Sequence, residues 1–582
     1  MQAGNTLDNQ LAAAVEVFES GELKQALQMA QELCQRNPGV SIVHNVHGVI
    51  AAEQGEIQAA IDSYQTAIAL DPGNSDIHFN LGNTLRAKGD VQAALTSYRA
   101  ALELKPNDPD FLFSVATVLR GQGEFNEAEK HFQHLLKLSP DDHTAHNGLG
   151  WVLLLAGRAD DAINCFRHAV KLQPDFAKSH DNLCEALEKT NQTDELKKAV
   201  AYARSVFGLD NIWLAIRQAQ VLRRDNELEE ALKALSSVVR FNPAQAPLNS
   251  TYWYLLGDIN DRLGNLQAAY EAFATANNWA AKTAMGRRVQ AQKYIQRLDD
   301  LQTAYKGVRR MASDNSTAQR GAPQLVFLIG FPRSGTTLLD TVLLSHSKIS
   351  VAEEKPMVLD MLRLVRTWQP DQFQNHEQLT DEQVSELRDA YMTSLKQHMG
   401  DQPIAGQVVV DKVPLNITNV GLISKVFPDA RFLLVLRHPC DCVLSCFMQE
   451  FGLNDAMANF LDLKSAAQCY DKVMSLWTTY REALPLRLHT VKYEQVVADL
   501  EATVSQVLEF LGLDWEDAMA DYKATALGRQ RIGTPSYHQV VQPLYSRAKG
   551  RWQRYGAQMK PVLPVLRRWV EMYGYPVDDD NR

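Results

Sequence analysis

The stretch QLVFLIGFPRSGTTLL, residues Gln324–Leu339, decides the fold of the second half of this 582-residue chain. It opens with six mostly large apolar residues, which predict a buried parallel strand. Gly330 and Gly335 then flank a turn, and residues with helical spacing follow. A strand, a glycine-bearing turn and a helix start commonly hold a phosphate on backbone N–H groups. We therefore expect an anion site here, the alternative being a glycine-rich turn that binds nothing.

The turn has the spacing of a phosphate loop but differs from one at a decisive position. Thr336 follows the second glycine, where an ATP or GTP hydrolase carries a lysine that reaches the terminal phosphates. Arg333 lies inside the turn and could supply a positive charge instead. The pattern therefore disfavours a nucleotide hydrolase and leaves open which anion is bound.

Bulk composition excludes several classes of protein. The net charge is −10 and there is no long Lys/Arg block, so nucleic acid is not the expected partner. No apolar run approaches the ~18 residues of a membrane span, and the N-terminus lacks a signal-peptide pattern. Seven cysteines are sparse for this length, and the spacing of those near residue 440 is not that of a zinc site. We expect a cytoplasmic protein without a metal.

The first half of the chain repeats itself every 34 residues. Small residues, aromatic residues and prolines each recur in this register: Gly48, Gly82, Ala116 and Gly150; Tyr64, Tyr98, Phe132 and Phe166; Pro38, Pro72, Pro106, Pro140 and Pro174. This period and residue pattern match the tetratricopeptide repeat. Small residues let the two helices of a unit approach closely, the aromatic residue fills the gap, and proline ends the second helix.

We therefore predict two parts: an all-α repeat solenoid, and an α/β domain like a phosphate-loop protein with a central parallel sheet. The repeats, about eight units, span residues 7–285, a helical extension and linker spans 286–321, and the α/β domain spans 322–577. The concave face of such an array usually binds a protein or peptide, the alternative being an oligomerisation or packing element. A homodimer is a further expectation.

Three polar clusters follow predicted strands of the α/β domain. Arg437 ends one strand and Ser445 lies two helical turns later, so both could bind one anion. Lys412 ends another strand, and Glu354 belongs to a carboxylate pair that could act as a general base. Each residue alone has an ordinary structural alternative. Together with the altered loop they favour a ligand site at the carboxyl ends of the strands.

With these clusters in view, residues 322–575 resemble the sulfotransferases that use 3′-phosphoadenosine 5′-phosphosulfate, and within them the protein-tyrosine sulfotransferase branch. The motifs that carry the resemblance are Pro332–Thr337 and Arg437-His-Pro-x-Asp-x3-Ser445. The resemblance implies that the donor is bound by Arg333, Ser334, Gly335, Thr336, Thr337, Arg437, Ser445, Tyr493, Ser536 and Arg551. It also explains the absent lysine, because this donor has a sulfonate where ATP carries more phosphate.

The same resemblance implies the catalytic roles. Glu354 would take the proton of the acceptor hydroxyl, and Lys412 and Arg333 would neutralise charge on the leaving phosphate, with no metal required. Pro356 and Gln449 depart from the tyrosine-modifying branch, which keeps other acceptors open. Peptide tyrosine presented by the repeats is the expected acceptor. The alternatives are a glycan, lipid or small metabolite, or a scaffold whose second domain binds a nucleotide without catalysis.

Overall fold

The computed structural model describes residues 6–208, 211–237, 241–310, 323–368, 376–399, 407–528 and 549–576. The chain divides into two compact units, residues 1–208 and 209–582. Among the described residues, no helix combines the length and the apolar character that a membrane crossing requires.

The first unit is built of paired helices. In chain order they are α1 (Leu7–Glu19), α2 (Leu23–Arg36), α3 (Ser41–Gln54), α4 (Ile57–Leu70), α5 (Ser75–Lys88), α6 (Val91–Leu104), α7 (Pro109–Gln122), α8 (Phe125–Leu138), α9 (His143–Leu155), α10 (Ala159–Leu172), α11 (Ala177–Lys189) and α12 (Thr193–Phe207). The predicted solenoid of tetratricopeptide repeats is confirmed.

Close helix contacts explain the 34-residue period. A Cβ at Gly82 of α5 would come 2.6 Å from the ring of Tyr98 on α6, and one at Gly150 of α9 would come 2.7 Å from Phe166 on α10. Both aromatic side chains are completely buried. The small residue thus leaves the space that the aromatic ring of its partner helix occupies, as the repeat pattern predicts.

The second unit begins with five helices: α13 (Ile212–Arg224), α14 (Leu228–Ser236), α15 (Ala246–Leu263), α16 (Leu266–Ala281) and α17 (Ala291–Tyr305). Its strands are β1 (Gln324–Gly330), β2 (Ile349–Glu353), β3 (Val408–Lys412), β4 (Arg431–Leu436) and β5 (Arg487–Lys492). The remaining helices are α18 (Thr336–Leu344), α19 (Met357–Trp368), α20 (Asp381–Met399), α21 (Val420–Val426), α22 (Pro439–Phe447), α23 (Leu463–Ala483), α24 (Tyr493–Ala498), α25 (Leu500–Leu511), α26 (Tyr522–Gly528), α27 (Arg551–Arg554), α28 (Gly556–Met559) and α29 (Leu563–Met572).

The five strands form one parallel sheet in the order β2-β3-β1-β4-β5. The predicted parallel sheet is therefore confirmed, and its edge strand β2 ends at Glu353, in the carboxylate pair that the sequence analysis placed at the end of a strand. After β1 the chain crosses to β2 on one side, and β4 later pairs with β1 on the other side. Such a reversal opens a crevice at the carboxyl ends of the strands beside β1.

Alternating residues of β1 explain why the sheet is buried on both faces. Phe327 and Ile329 belong to one core, and Val326 and Leu328 belong to the core on the opposite face. All four side chains are fully buried. Continuous apolar strands of this kind are typical of parallel sheets that helices cover on both sides.

The last predicted repeat unit packs against the sheet part of the second unit. The Tyr555 hydroxyl donates to Asp261 Oδ1 at 2.7 Å, and Asn277 Nδ2 donates to the Phe447 carbonyl oxygen at 3.1 Å. Phe273 of α16 belongs to the same apolar core as one face of the sheet. The predicted boundaries at residues 285 and 322 stay predictions, since residues 311–322 lie outside the described part of the chain.

Candidate active site

The turn after β1 is held in a tight and unusual conformation. Arg333 has φ +68° and Gly335 has φ +103°, both in the left-handed region. A Cβ at Gly330 would come 2.7 Å from the Val435 carbonyl oxygen, and one at Gly335 would come 2.5 Å from the Tyr493 ring. These close approaches let the turn wrap around the start of α18. The N–H groups of a first helical turn have no partners within the helix and suit an anion.

A second junction, between β4 and α22, is bonded directly to this turn. Arg437 Nη1 donates to the Arg333 carbonyl oxygen at 3.0 Å, and Arg333 Nε donates to Ser445 Oγ at 3.1 Å. The Arg437 guanidinium lies 5.2 Å from the centre of the Tyr493 ring. The structure therefore brings together four of the residues that the two motifs and Tyr493 contribute. Two guanidinium groups beside the start of a helix make this a site suited to binding an anion.

The charge of Arg437 is supported by neighbouring acidic groups. Burial by itself lowers the pKa of this guanidinium, but the carboxylate of Asp441 and other nearby groups outweigh burial and raise it. Asp441 also accepts hydrogen bonds from the backbone N–H groups of Gly550 at 2.8 Å and Trp552 at 3.0 Å. Asp441 thus attaches the C-terminal segment to the Arg437 motif.

The C-terminal segment holds two of the predicted donor residues. Trp552 stacks on the His438 ring with centroids 5.1 Å apart and an interplanar angle of 18°. Arg551, however, forms an ion pair with Asp261 at 2.9 Å and does not line the cavity described below. Donor binding by Arg551 stays a prediction. Ser536, also predicted for the donor, lies outside the described residues.

Lys412 lies in the interior, surrounded by carboxylates. Its Nζ is 3.2 Å from Glu353 Oε1, 3.3 Å from Glu354 Oε1 and 3.4 Å from Asp340 Oδ2. The side chains of Lys412 and Asp340 are 0% exposed. Burial alone lowers the pKa of Lys412, but the three carboxylates outweigh it and raise the pKa. The ammonium group is therefore kept protonated, with Lys412 fixed beside Glu354.

Glu354 occupies a strained position where β2 ends. Its φ is +49°, which is unfavourable for a residue other than glycine, and its N–H donates to the Lys412 carbonyl oxygen at 2.9 Å. The side chain is 43% exposed, whereas the neighbouring Glu353 is 14% exposed. The backbone thus turns the Glu354 side chain toward solvent, while the Glu353 side chain stays largely buried. A base that must reach a substrate needs this exposure.

Several of these residues line a cavity of about 1620 Å³. The predicted site residues that line it are Arg333, Gly335, Thr336, Thr337, Glu354, Arg437 and Tyr493. Ser334, Lys412 and Ser445 lie behind this surface. A cavity of this size is larger than a drug-sized ligand needs, so it has room for a second molecule beside a nucleotide.

The sequence analysis missed the carboxylate of Asp340 and gave Glu353 no role of its own. Asp340 lies inside the apolar run of α18, and a single acidic residue in such a run was the available signal that it has a buried partner. Glu353 was noticed only as the neighbour of Glu354. Neither contact with Lys412 could be read from spacing, because β1, β2 and β3 meet only in the folded sheet.

Comparison with known proteins agrees with this geometry. Residues 323–517 match the model described as the sulfotransferase family. Models of the tetratricopeptide repeat match residues 11–75, 45–109, 111–175 and 216–281. The resemblance to both families that the sequence motifs indicated is therefore confirmed.

Individual relatives are distant. Protein-tyrosine sulfotransferase 1 of Danio rerio is 26% identical over 263 residues, which cover 42% of this chain and 71% of that protein. An uncharacterized protein of Aquifex aeolicus (strain VF5) is 24% identical over 346 residues, which cover 58% of this chain and 44% of that protein. The chain thus spans less than half the length of this last relative.

A solved structure also matches in part. It is a tetratricopeptide repeat protein from Parabacteroides merdae, 16% identical, with a TM-score of 0.36 over 43% of this chain and 99% of that chain.

Proposed function

We propose, from the match of residues 323–517 to the sulfotransferase family model, that the chain moves a sulfuryl group from 3′-phosphoadenosine 5′-phosphosulfate to an acceptor hydroxyl. The observation that carries this proposal is that Glu354 and the charged loop line the same cavity, with the buried Lys412 Nζ 3.3 Å from Glu354 Oε1. A base, a buried cation and an anion cradle are the parts that sulfuryl transfer requires.

The residues of the loop fit the proposed donor. Ser334 Oγ is buried and has no hydrogen-bond partner among the described residues, so a bound oxyanion would satisfy it. A Cβ at Gly330 would come 2.8 Å from this oxygen, so glycine keeps the cradle open. Thr336 and Thr337 would add hydroxyl donors to the 5′-phosphosulfate, while Arg437 and Ser445 would bind the 3′-phosphate. No lysine is needed after Gly335, because this donor has no γ-phosphate.

The proposed chemistry uses the residues around Lys412. When bound, the donor supplies a sulfuryl group on a phosphate leaving group. Glu354 receives the proton of the acceptor hydroxyl, since its side chain is 43% exposed and lines the cavity, with the Lys412 ammonium 3.3 Å from its Oε1. Lys412 and Arg333 place positive charge where the leaving oxygen becomes negative. The acceptor oxygen gains the sulfuryl group as the phosphate oxygen loses it.

For the acceptor we propose a tyrosine of a protein or peptide that the repeats bind. Two observations support it: relatives named protein-tyrosine sulfotransferases, and a repeat array of a kind that typically binds peptides. A glycan, lipid or small metabolite is the second candidate, since Pro356 and Gln449 depart from the tyrosine-modifying branch. A cytoplasmic location and a homodimer stay predictions.

The test offers the full chain a donor labelled with radioactive sulfate, together with a tyrosine peptide library and, separately, a panel of hydroxylated metabolites and glycans. We expect label to appear on peptide tyrosine. Label on the second panel alone would support sulfotransferase activity and contradict tyrosine as the acceptor. Donor binding without transfer to any acceptor would favour the non-catalytic scaffold, and no donor binding would refute the proposed function.

A further inference from the structure

Lys412 is a buried cation on the face of the sheet that α18 covers. Side chains of β3 alternate between the two faces, and Val408 and Val410 belong to the core that α18 helps to form. Lys412 continues this series, so its side chain points toward α18. The intervening Asp411 points to the other face, where it accepts a hydrogen bond from Tyr391. The partners of the ammonium group therefore come from α18 and from the neighbouring strands.

Two carboxylates approach Lys412 on this face. Glu353 is its register partner in the β2–β3 pair, and the Glu353 carboxylate is 3.2 Å from Nζ. Asp340 comes from α18 and is 3.4 Å from Nζ, with 0% of its side chain exposed. On the other side, β1 places the apolar Leu328 in register with Lys412. Among the described residues, the charged groups that face Nζ are these two carboxylates and Glu354.

Asp340 is a costly residue for its surroundings. Its neighbours on α18, Leu339, Val342 and Leu343, are apolar and buried in the core. The Thr341 hydroxyl donates to Asp340 Oδ1 at 3.1 Å. Burying a carboxylate is unfavourable unless a partner compensates, and well-packed apolar residues in place of a buried ion pair are often at least as stable. Stability of the core alone therefore does not account for a carboxylate at this position.

The proposed reaction changes the charge of one carboxylate beside Lys412. Glu354 becomes neutral when it takes the acceptor proton, as the acceptor oxygen bonds to sulfur and the bond from sulfur to the phosphate oxygen breaks. Lys412 then has one anionic partner fewer, while its burial continues to oppose its charge. The leaving oxygen needs a positive charge nearby at this same stage. Asp340 and Glu353 take no proton in this scheme and still compensate the ammonium group.

We propose that Asp340 is a positioning residue that acts through Lys412, keeping the ammonium charged and in place beside Glu354 while Glu354 carries the acceptor proton. This inference rests on the proposed function and adds to it a residue that does not itself line the cavity. Burial lowers the pKa of Lys412, and of the three carboxylates that raise it Asp340 has the largest effect. Glu353 contributes in the same direction to a smaller extent.

The test is the pH dependence of Asp340→Asn, which keeps the shape of the side chain and removes its charge. Affinity for adenosine 3′,5′-bisphosphate, whose 5′-phosphate is the leaving group of the proposed reaction, is measured together with turnover from about pH 7 to about pH 10. Lys412 should stay protonated over this range in the wild type, because its pKa is raised above the ordinary 10.5. In the variant, the alkaline decline of both quantities should move down by about one pH unit or more. At about pH 10 the variant should bind the bisphosphate about tenfold less tightly than the wild type.

A second variant and a matched control separate charge from packing. Glu353→Gln should move the alkaline decline in the same direction by a smaller amount, and it provides the measurement if Asp340→Asn folds poorly. The control is Val342→Ala, which removes buried volume from the same helix without changing a charge. It should lower the thermal stability and leave the alkaline decline where the wild type has it.

Three outcomes would overturn the inference while bisphosphate binding and transfer by the wild type left the proposed function intact. They are wild-type pH dependence in both carboxylate variants, a loss of affinity in Asp340→Asn that is equal at every pH, and a shift in Val342→Ala as large as that in Asp340→Asn. The last two would assign Asp340 a purely structural role. Absence of bisphosphate binding by the wild type would overturn the proposed function and the inference with it.

Discussion

The clearest effect of pH on stability should come from Asp411, which lies on β3 beside Lys412. Tyr391 donates its hydroxyl to Asp411 Oδ2 at 2.9 Å, and Oδ1 is buried with no hydrogen-bond partner among the described residues. Burial raises the pKa of this carboxyl from 3.8 to about 7, although the Tyr391 hydrogen bond acts in the opposite direction. The folded protein therefore holds a proton here that the unfolded chain releases near pH 4.

A rise in pKa from 3.8 to about 7 corresponds to about 4 kcal/mol of unfolding free energy. Because the folded-state pKa is raised, this stabilisation is complete below pH 3.8, declines as the pH rises toward about 7, and is absent above it. Asp411→Asn cannot ionise and can still accept the Tyr391 hydrogen bond. The wild type should therefore lose up to about 4 kcal/mol relative to this variant between about pH 4 and about pH 8.

Urea unfolding at a series of pH values measures this difference. Tryptophan fluorescence is a suitable signal, since Trp477 and Trp569 lie in the core that covers one face of the sheet. Tyr391→Phe provides a second check, because losing its hydrogen bond should move the decline of the wild-type curve to higher pH. Parallel pH dependence of Asp411→Asn and the wild type would refute the reasoning, since it would mean that Asp411 ionises normally in the folded state.

Three further substitutions test separate parts of the structure. Gly335→Ala places a Cβ 2.5 Å from the Tyr493 ring at a residue whose φ is +103°. Calorimetry should therefore show about tenfold weaker binding of adenosine 3′,5′-bisphosphate. Unchanged affinity would show that the turn does not bind the donor. Arg437→Ala should bind this nucleotide and its analogue without the 3′-phosphate equally, whereas the wild type should prefer the former by about tenfold or more; a preserved preference would contradict the role of Arg437. In the first unit, Gly82→Ala places a Cβ 2.6 Å from the Tyr98 ring. Thermal unfolding should show that the repeats are destabilised by about 1–3 kcal/mol. An unchanged melting temperature would contradict this packing.

Local patterns were sufficient to predict much of the fold. The repeat period works because each small residue faces an aromatic ring of the neighbouring helix, as Gly82 faces Tyr98. The glycine turn could also be predicted, since its strand, turn and helix are contiguous in the chain. The extent of the edge strand β2 was harder to predict, because its five residues carry only a short apolar pattern and are followed at once by charged residues.

Contacts between distant segments account for what the sequence did not indicate. Asp340 and Lys412 are 72 residues apart (412 − 340), and only pairing of β1 with β3 places them together. The partner of Arg551 is Asp261 on α15, a contact across the second unit that no motif predicts. Helix α17 was likewise predicted only as part of a helical extension. Its position beside the cavity depends on packing against α23, which is distant in the sequence.

The most direct test of the proposed mechanism is Glu354→Gln, measured for both turnover and donor binding. The substitution keeps the shape of the side chain and removes its ability to accept a proton. We expect kcat to fall about a hundredfold to ten-thousandfold, the usual contribution of a general base, with the affinity for adenosine 3′,5′-bisphosphate unchanged. Turnover close to that of the wild type, or an equal loss of donor affinity, would contradict the role of Glu354 as the base.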